Sequence, residues 1–278
     1  MEPAVIIATY NWPRALELAL WGFATQTRRG FQVVVADDGS GPETRAVIDR
    51  LRAEAGLDIA HVWHADRGFR KSEILNRAIL AARGDYLLFT DGDLIPRDDF
   101  VATHLRLARP GRYLAGMTVR LPPAVSDAIT PADVRAGRAT DLAWLRRHGF
   151  RAGRHALRFS RSWWFNTAMD HLTTTPPRWR GGNASAWRSD LLAVDGFDMA
   201  MGYGGQDAEI GDRLDNLGIR PLRVRFRAPT VHLHHERPWR DEAGMRQNRD
   251  HRRQVRARGV TRARLGISAL GPAEAAQA

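Results

Sequence analysis

Tyr86-Leu87-Leu88-Phe89-Thr90-Asp91-Gly92-Asp93 is the stretch on which the reading of this chain turns. An apolar, strand-favouring run delivers two carboxylates, one residue apart, into a loop. Side chains alternate along a strand, so positions two apart face the same way. Asp91 and Asp93 can therefore converge on one hard cation, with Gly92 letting the backbone turn or approach a ligand closely. Two carboxylates leave most of the shell of a Mg²⁺ or Mn²⁺ ion open to phosphate oxygens, the usual way such ions meet nucleotides. Standing alone, the triplet reads equally as a polar turn at a strand end, so its neighbours decide.

Outward from that stretch, strand and helix signals alternate as a βαβ architecture requires. Strands are predicted over 4–9, 31–36, 59–63 and 113–121. Between them come a helix opened by Asn11 and Pro13 that carries Leu16, Leu20 and Phe23, and a second over 42–55 with Val47, Ile48 and Leu51 on one face. A third covers 72–82 with Ser72 as its cap, and a fourth covers 98–108. The fold class is α/β, a Rossmann-like, mostly parallel central sheet flanked by helices. From 122 to 180 the periodicity weakens to two short helices and the aromatic group Trp163-Trp164-Phe165, and such an insertion most often serves as a binding loop or lid. A glycine-rich loop, Gly202-Tyr203-Gly204-Gly205-Gln206-Asp207, then opens a helix with Ile210, Leu214 and Leu217 on its buried stripe, ended by Gly218. Strand signals return at 222–226 and 230–236. Residues 1–121 and 122–236 thus read as two halves of one domain, and 237–278 as a basic, helical tail whose last residues, 271–278, are expected to fray.

Composition bounds the function. Of 278 residues, 44% are hydrophobic and 26% charged, ordinary for a globular protein, and no run is long enough to cross a bilayer. The N-terminus enters a strand at once, without a basic region or cleavage pattern, which makes the cytoplasm the expected compartment. Absence of cysteine excludes disulfides and thiolate metal sites. The net charge of +11 favours anionic ligands or surfaces. Arginines at 246, 249, 252, 253 and 256 recur at mostly helical spacing but with few apolar partners. That pattern predicts a solvated helix packed on the domain, ahead of contact with the inner face of an anionic membrane.

In doubly wound sheets, ligands bind outside the carboxyl ends of the strands. Here those ends carry Thr9-Tyr10-Asn11, Asp38-Gly39-Ser40, Asp66 to Arg70-Lys71, and Asp91-Gly92-Asp93. The set suits a nucleotide: carboxylates for base or ribose, basic groups and a metal for a diphosphate. Neither a Gly-x-Gly-x-x-Gly turn nor a Walker loop is present. Asp207, where a glycine-rich loop becomes a helix, is either a helix-capping residue or a general base. Asp198 either binds a hydroxyl or holds a turn. In Val231-His232-Leu233-His234-His235-Glu236, an extended chain puts His232 and His234 on one face, away from His235, so one of that pair can join the aspartates on the metal. Trp163-Trp164-Phe165 and Trp179 either stack on sugar rings or pack in the core.

Three N-terminal motifs, Val5-Ile6-Ile7-Ala8-Thr9-Tyr10-Asn11, Val34-Val35-Ala36-Asp37-Asp38-Gly39-Ser40 and Thr90-Asp91-Gly92-Asp93, resemble the nucleotide-sugar half of family 2 glycosyltransferases with the GT-A fold. The stretch from Gly181-Gly182-Asn183-Ala184-Ser185 through Gly196-Phe197-Asp198 to Gly204-Gly205-Gln206-Asp207 resembles the galactosyltransferase-like C-terminal module also seen in chondroitin-type polymerases. The likeness spans 4–236 in the same order, with 122–180 unmatched, and implies that 1–121 is the nucleotide-sugar-binding half and 122–236 the acceptor-binding and catalytic half of one GT-A domain. It implies that Asp38 and Asp66 hold uracil or ribose with Thr9 lining the pocket, that Asn11, Arg70 and Lys71 attend the nucleotide sugar, and that Asp91 contacts ribose or metal. Asp93 would be the principal ligand of Mn²⁺ or Mg²⁺, His232 the third ligand with His234 as its substitute, and Asp207 the general base. Trp179, Gly182, Asn183, Asp198, Tyr203, Gly204, Gly205 and Gln206 would line the sugar and acceptor side. Gln206 and Tyr203 stand where the family usually has Glu and Trp. The implied activity is inverting transfer of a hexose or N-acetylhexosamine from a UDP-sugar to a glycan or lipid-linked glycan. A sugar nucleotidyltransferase and a nucleic-acid binder are the rival classes. The first lacks its glycine-rich, lysine-containing loop near the N-terminus, and the second lacks any recognisable module.

Overall fold

The computed structural model describes residues 2–236 and 241–271. In chain order the elements are β1 (Pro3–Thr9), α1 (Pro13–Ala24), β2 (Gln32–Asp37), α2 (Pro42–Glu54), β3 (Asp58–Trp63), α3 (Lys71–Ala81), β4 (Tyr86–Asp91), β5 (Leu94–Pro96), α4 (Phe100–Leu107), β6 (Arg112–Ala115) and β7 (Thr118–Arg120). There follow α5 (Pro123–Ala128), α6 (Pro131–Arg135), α7 (Leu142–Arg147), α8 (Trp163–Leu172), β8 (Ala184–Trp187), α9 (Arg188–Ala193), α10 (Gln206–Asn216), β9 (Arg220–Arg223), β10 (Thr230–His232) and α11 (Glu242–Arg258).

Seven strands form one sheet in the order β3-β2-β1-β4-β8-β6-β9, in which β8 is antiparallel to both its neighbours and the other pairings are parallel. β1 and β2 are buried along their whole length, and β4 up to Asp91. Strands covered on both faces need such unbroken apolar runs. Their alternation then fills two separate cores. Val5, Ile7, Val33, Val35 and Leu88 pack beneath α1 and α2. Ala4, Ile6, Val34, Ala36, Leu87 and Phe89 pack on the other face with Ile74, Leu75, Ala78 and Ile79 of α3. A second sheet, β5-β10-β7, lies at the end of the first.

Several expectations change in three dimensions. The strand predicted over 113–121 is two strands in different sheets, broken at Gly116, where a Cβ would stand 2.0 Å from the Asn183 side chain. Much of 122–180 is core rather than lid: Val125, Ile129, Val134, Trp144, Leu145 and Phe150 are buried in the cluster under α1. The strand expected over 230–236 stops at His232. Trp12, not Asn11, caps α1, and Arg70 rather than Ser72 precedes α3. The tail is helical over Glu242–Arg258, docked on α10 through Arg252 Nε to Asp212 Oδ2 at 2.8 Å. Residues 237–240 and 272–278, the latter expected to fray, lie outside the described residues. Among the described residues, no helix is long and apolar enough to cross a membrane.

Candidate active site

From β1 the chain runs through β2 and β3 to one side and returns to β4 on the other, so the strand order reverses between β1 and β4. Such a switch point opens a crevice at the carboxyl ends of the strands. There the register sets Thr9 beside Asp37 and Ala8 beside Asp91. The Gly92 N–H donates to the Ala8 carbonyl at 2.7 Å, and a Cβ on Gly92 would stand 3.0 Å from Thr9 Oγ1. The Asp91-Gly92-Asp93 loop is thus clamped over the end of β1.

Asp91 and Asp93 divide their work. Lys71, from the first turn of α3, places Nζ 2.6 Å from Asp91 Oδ1. Burial opposes the ammonium charge, but Asp91 and Asp207 outweigh it, and the lysine pKa rises. Asp93 faces two imidazoles instead: its Oδ2 lies 3.5 Å from His232 Nε2 and 3.2 Å from His235 Nε2. Each ring sets Nδ1 2.7 Å from a carbonyl oxygen, of Leu233 and Glu236 respectively. With Nδ1 engaged by a carbonyl, Nε2 is the ring nitrogen left facing Asp93 and the one that can ligate an ion. The two rings are stacked, 5.2 Å apart and inclined by 22°. Burial alone would raise the Asp93 pKa, yet His235, His232 and Lys71 hold it below the usual carboxylate value.

This cluster fits a divalent ion. The donors of Asp93, His232 and His235 lie within 4.8 Å of one another. Neighbouring donors on an octahedral ion at about 2.1 Å stand about 3 Å apart, close to the separations found here. Asp93 Oδ1 is buried with no hydrogen-bond partner, the state of an oxygen that awaits a ligand. His234 is absent from the group: it is exposed, and its backbone N–H donates to Ser126 Oγ at 2.8 Å. The extended alternation that pairs 232 with 234 ends with β10, and the chain turns so that His235 comes back over His232. No pattern in the six-residue motif signals that turn.

Asp207 lies in the first turn of α10. Burial raises its pKa and Lys71 opposes the rise, while Asp91 adds to it; burial therefore outweighs any help from the helix terminus. Its Oδ1 is buried without a partner. The loop before β8 approaches so closely that a Cβ on Gly181 would stand 2.6 Å from Asp207 Oδ1, and one on Gly182 would stand 3.0 Å from Asp91 Oδ2. Bare backbone at 181–182 therefore joins the two carboxylates into one site.

On the β2 side, Asp38 is already engaged. His64 Nε2 lies 2.8 Å from Oδ1, and the Arg70 N–H donates to Oδ2 at 3.1 Å. The Arg70 guanidinium turns to Glu73. Asp66 is exposed, accepts the Tyr10 hydroxyl at 2.9 Å and is held below the usual carboxylate value by the Gly68 N–H and that hydroxyl. Asn11, at φ 45°, spends Oδ1 on the Gly41 N–H at 2.9 Å and so ties the β1 and β2 loops together. Thr9, Tyr10, Asp38 and Asp66 thus border one opening.

Other candidates sit beneath the surface. Trp179, 1% exposed, packs edge-on against Phe89 in the core. Asn183 donates Nδ2–H to the Ala228 carbonyl at 2.8 Å, and Asp198 accepts from Arg264 Nε at 2.8 Å. A second acidic group, Asp198 and Glu209 with His251, has Arg264 and Arg213 as its countercharges. Gln206 Oε1 accepts the Gly204 N–H at 2.9 Å, and Tyr203 lies edge-on to Phe69. Gly204 is covered by Met245 of α11, and Arg252 of the same helix is the nearest contact of Gly205. Asn248 donates Nδ2–H to the Gly204 carbonyl at 2.9 Å, a contribution from the tail that its arginine pattern does not announce. Trp164, 82% exposed, and Phe165 face outward on α8, whereas Trp163 lies under Arg106.

The family model described as glycosyl transferase family 2 matches residues 4–163. Among curated relatives, validoxylamine A glucosyltransferase of Streptomyces hygroscopicus subsp. jinggangensis is 31% identical over 257 residues, covering 84% of this chain and 56% of its own. Chondroitin synthase of Escherichia coli is 24% identical, covering 76% of this chain and 32% of its own. The chain spans about half the length or less of these relatives. Of solved structures, the mannosyltransferase PcManGT from Pyrobaculum calidifontis, in complex with GDP-Man and Mn2+, superposes with a TM-score of 0.58 at 21% identity, covering 86% of this chain and 58% of its own. That likeness places the fold among GT-A glycosyltransferases.

Proposed function

The chain belongs to glycosyl transferase family 2, and from that premise we propose metal-dependent, inverting transfer of a hexose or N-acetylhexosamine from a UDP-sugar to a hydroxyl of a glycan or glycolipid acceptor. The observation that carries the proposal is the meeting of Asp91, Asp93, His232, His235 and Asp207 at the switch point, with a buried, unpartnered oxygen on both Asp93 and Asp207. Thr9, Tyr10, Asp38 and Asp66 border the opening assigned to the nucleoside. Asp93, His232 and His235 would hold a divalent ion, and two imidazoles make that set better suited to Mn²⁺ than to Mg²⁺, which prefers oxygen. Such an ion, when bound, supplies positive charge to a diphosphate leaving group.

Asp207 takes the proton from the attacking acceptor hydroxyl. Asp91 is neutralised by Lys71 and Asp93 faces two histidines, so Asp207 is the carboxylate left to act as base. Its raised pKa strengthens it as a proton acceptor. One available base among the three carboxylates gathered at the switch point, with the other two engaged by Lys71 and the histidines, supports single displacement and inversion. A glucosyltransferase among the relatives supports a hexosyl donor. Calorimetry with UDP, GDP and dTDP, each with and without Mn²⁺, tests the reading against Asp93→Ala. Metal-dependent binding of UDP, lost in the variant, is expected. Binding of GDP or dTDP alone would change the donor, and binding of no nucleotide would overturn the proposal.

A further inference from the structure

Five arginines are buried among the described residues: Arg77, Arg97, Arg158, Arg213 and Arg227. Four meet a carboxylate: Arg77 meets Glu73 at 2.8 Å, Arg97 meets Asp99 at 2.6 Å, Arg213 meets Glu209 at 2.7 Å, and Arg227 meets Asp170 at 2.7 Å. That is the rule for guanidinium groups removed from water. Arg158, only 3% exposed, breaks it. Its one hydrogen bond runs from Nη1 to the Thr118 carbonyl at 3.3 Å, and no carboxylate pairs with it. Its neighbours are further cations. Among the described residues Arg154 and Arg180 likewise form no ion pair with a carboxylate, and Arg225, which feels the charge of Asp170, buries an Nε–H with no hydrogen-bond partner. Burial, with the charges of Arg225, Arg154 and Arg180, lowers the Arg158 pKa to about 10. Burial, and then the neighbouring arginines, hold Arg225 and His155 below their usual values, with Asp170 opposing the shift of Arg225. Like charges gather in this way, at a cost in stability, where a ligand of opposite charge completes them.

Their place in the sheet says which ligand. The proposed nucleoside opening lies at the carboxyl ends of β1 and β2. Arg225 lies across β4 from it, because Arg223 ends β9, Arg225 comes two residues later, and β9 runs parallel to β6. Arg180 immediately precedes Gly181, which packs on Asp207, and Arg158 holds Thr118, whose side chain would stand 3.6 Å from a Cβ on Gly182. We propose that the acceptor of the transfer carries an anionic group, phosphate or carboxylate, bound by Arg158 and Arg225 with Arg154 and Arg180 beside the base Asp207. The inference rests on the glycosyltransferase reading for the word acceptor, but its test does not.

Glucose 6-phosphate, glucuronate and glucose offer one ring with a dianion, a monoanion and no charge. Titrated calorimetrically into the full chain without metal, at least one anionic sugar should bind and glucose should not. Preference for the first assigns a phosphorylated acceptor, and preference for the second assigns a uronic acid. Arg158→Gln and Arg225→Gln should each weaken that binding at least tenfold and abolish its rise in melting temperature, while UDP binding with Mn²⁺ is retained. Should Arg158→Gln fail to fold, the exposed Arg154→Gln and Arg180→Gln carry the same test. Absence of anion binding, anion binding indifferent to all four variants, or a parallel loss of UDP affinity would overturn the proposal. The last result would give the arginines to the donor diphosphate. Failure of UDP to bind the unaltered chain would overturn the glycosyltransferase reading and leave the anion site standing or falling on its own titration.

Discussion

His235→Ala is the perturbation that most sharply separates the folded geometry from an extended-strand reading of the same motif. In the structure His235 Nε2 is 3.2 Å from Asp93 Oδ2, nearer than His232 Nε2 at 3.5 Å, and His234 is exposed outside the group. The two ring nitrogens are therefore near-equivalent donors, and removing either would take one of the three proposed protein ligands from the ion. Loss of a mere outer partner of a ligand costs about 10–100-fold in metal affinity, so loss of the ligand itself should cost at least about 100-fold. That factor corresponds to about 2.7 kcal/mol. Titration of Mn²⁺ in the presence of UDP, followed by the electron paramagnetic resonance of the free ion, reads the affinity directly. His235→Ala and His232→Ala are expected to fall together, and His234→Ala to stay within about twofold, the effect of removing an exposed side chain. A large loss in His234→Ala with His235→Ala unaffected would refute the turn after β10 and restore the alternating geometry.

Asp207→Asn should separate activity from stability in opposite directions. A carboxyl whose folded pKa is raised contributes stability below its unfolded pKa, and that contribution is lost as pH rises through the folded value; above that value the ionised Asp207 is a burden that Asn removes. Transfer is expected to fall about 10²–10⁴-fold with the melting temperature unchanged or higher, and in the unaltered enzyme kcat should fall with acid through a pKa above the ordinary aspartate value. Near-normal turnover in the variant would remove the base. Lys71→Arg, which keeps the charge but replaces a compact ammonium with a planar fork, should lower UDP-sugar turnover at least tenfold; an unaltered rate would reduce Lys71 to a generic countercharge.

The central strands were legible because burial on both faces writes itself as uninterrupted apolar sequence at 4–9, 31–36 and 86–90. The Asp91-Gly92-Asp93 loop was legible for the same reason, since whatever follows such a strand lies at the ligand-bearing edge of the sheet. What escaped depends on contacts between distant segments. Nothing near Gly116 announces that Asn183 occupies the space of its missing side chain and breaks the strand there. Motif letters also do not separate a residue that touches ligand from one that holds the loop which does. Asn11, Trp179, Asn183 and Asp198 belong to motifs, yet here their side chains serve the β2 loop, the core, a buried carbonyl and Arg264. Arg158 was hidden differently: among 42 basic residues, an arginine without a countercharge stands out only when burial and partners are known.

The division of charge at the switch point explains why, in the proposed mechanism, one carboxylate is left to act as base. Asp91, Asp93 and Asp207 all act on the same ammonium, and three anions around one cation would leave two of them destabilised by burial. Lys71 is the single lysine among the 42 basic residues, so in a chain that otherwise uses arginine, the compact point charge occurs where space among carboxylates is least. It settles on Asp91 at 2.6 Å, and the two histidines lower Asp93 from the other side. Asp207 feels the lysine charge against its own burial and the charge of Asp91, and its pKa rises where that of Asp93 falls. Neighbouring carboxyl groups pushed in opposite directions take opposite roles, one as a ligand that stays ionised and one as a base that accepts a proton. The roles proposed for Asp93 and Asp207 follow from where Lys71, His232 and His235 stand.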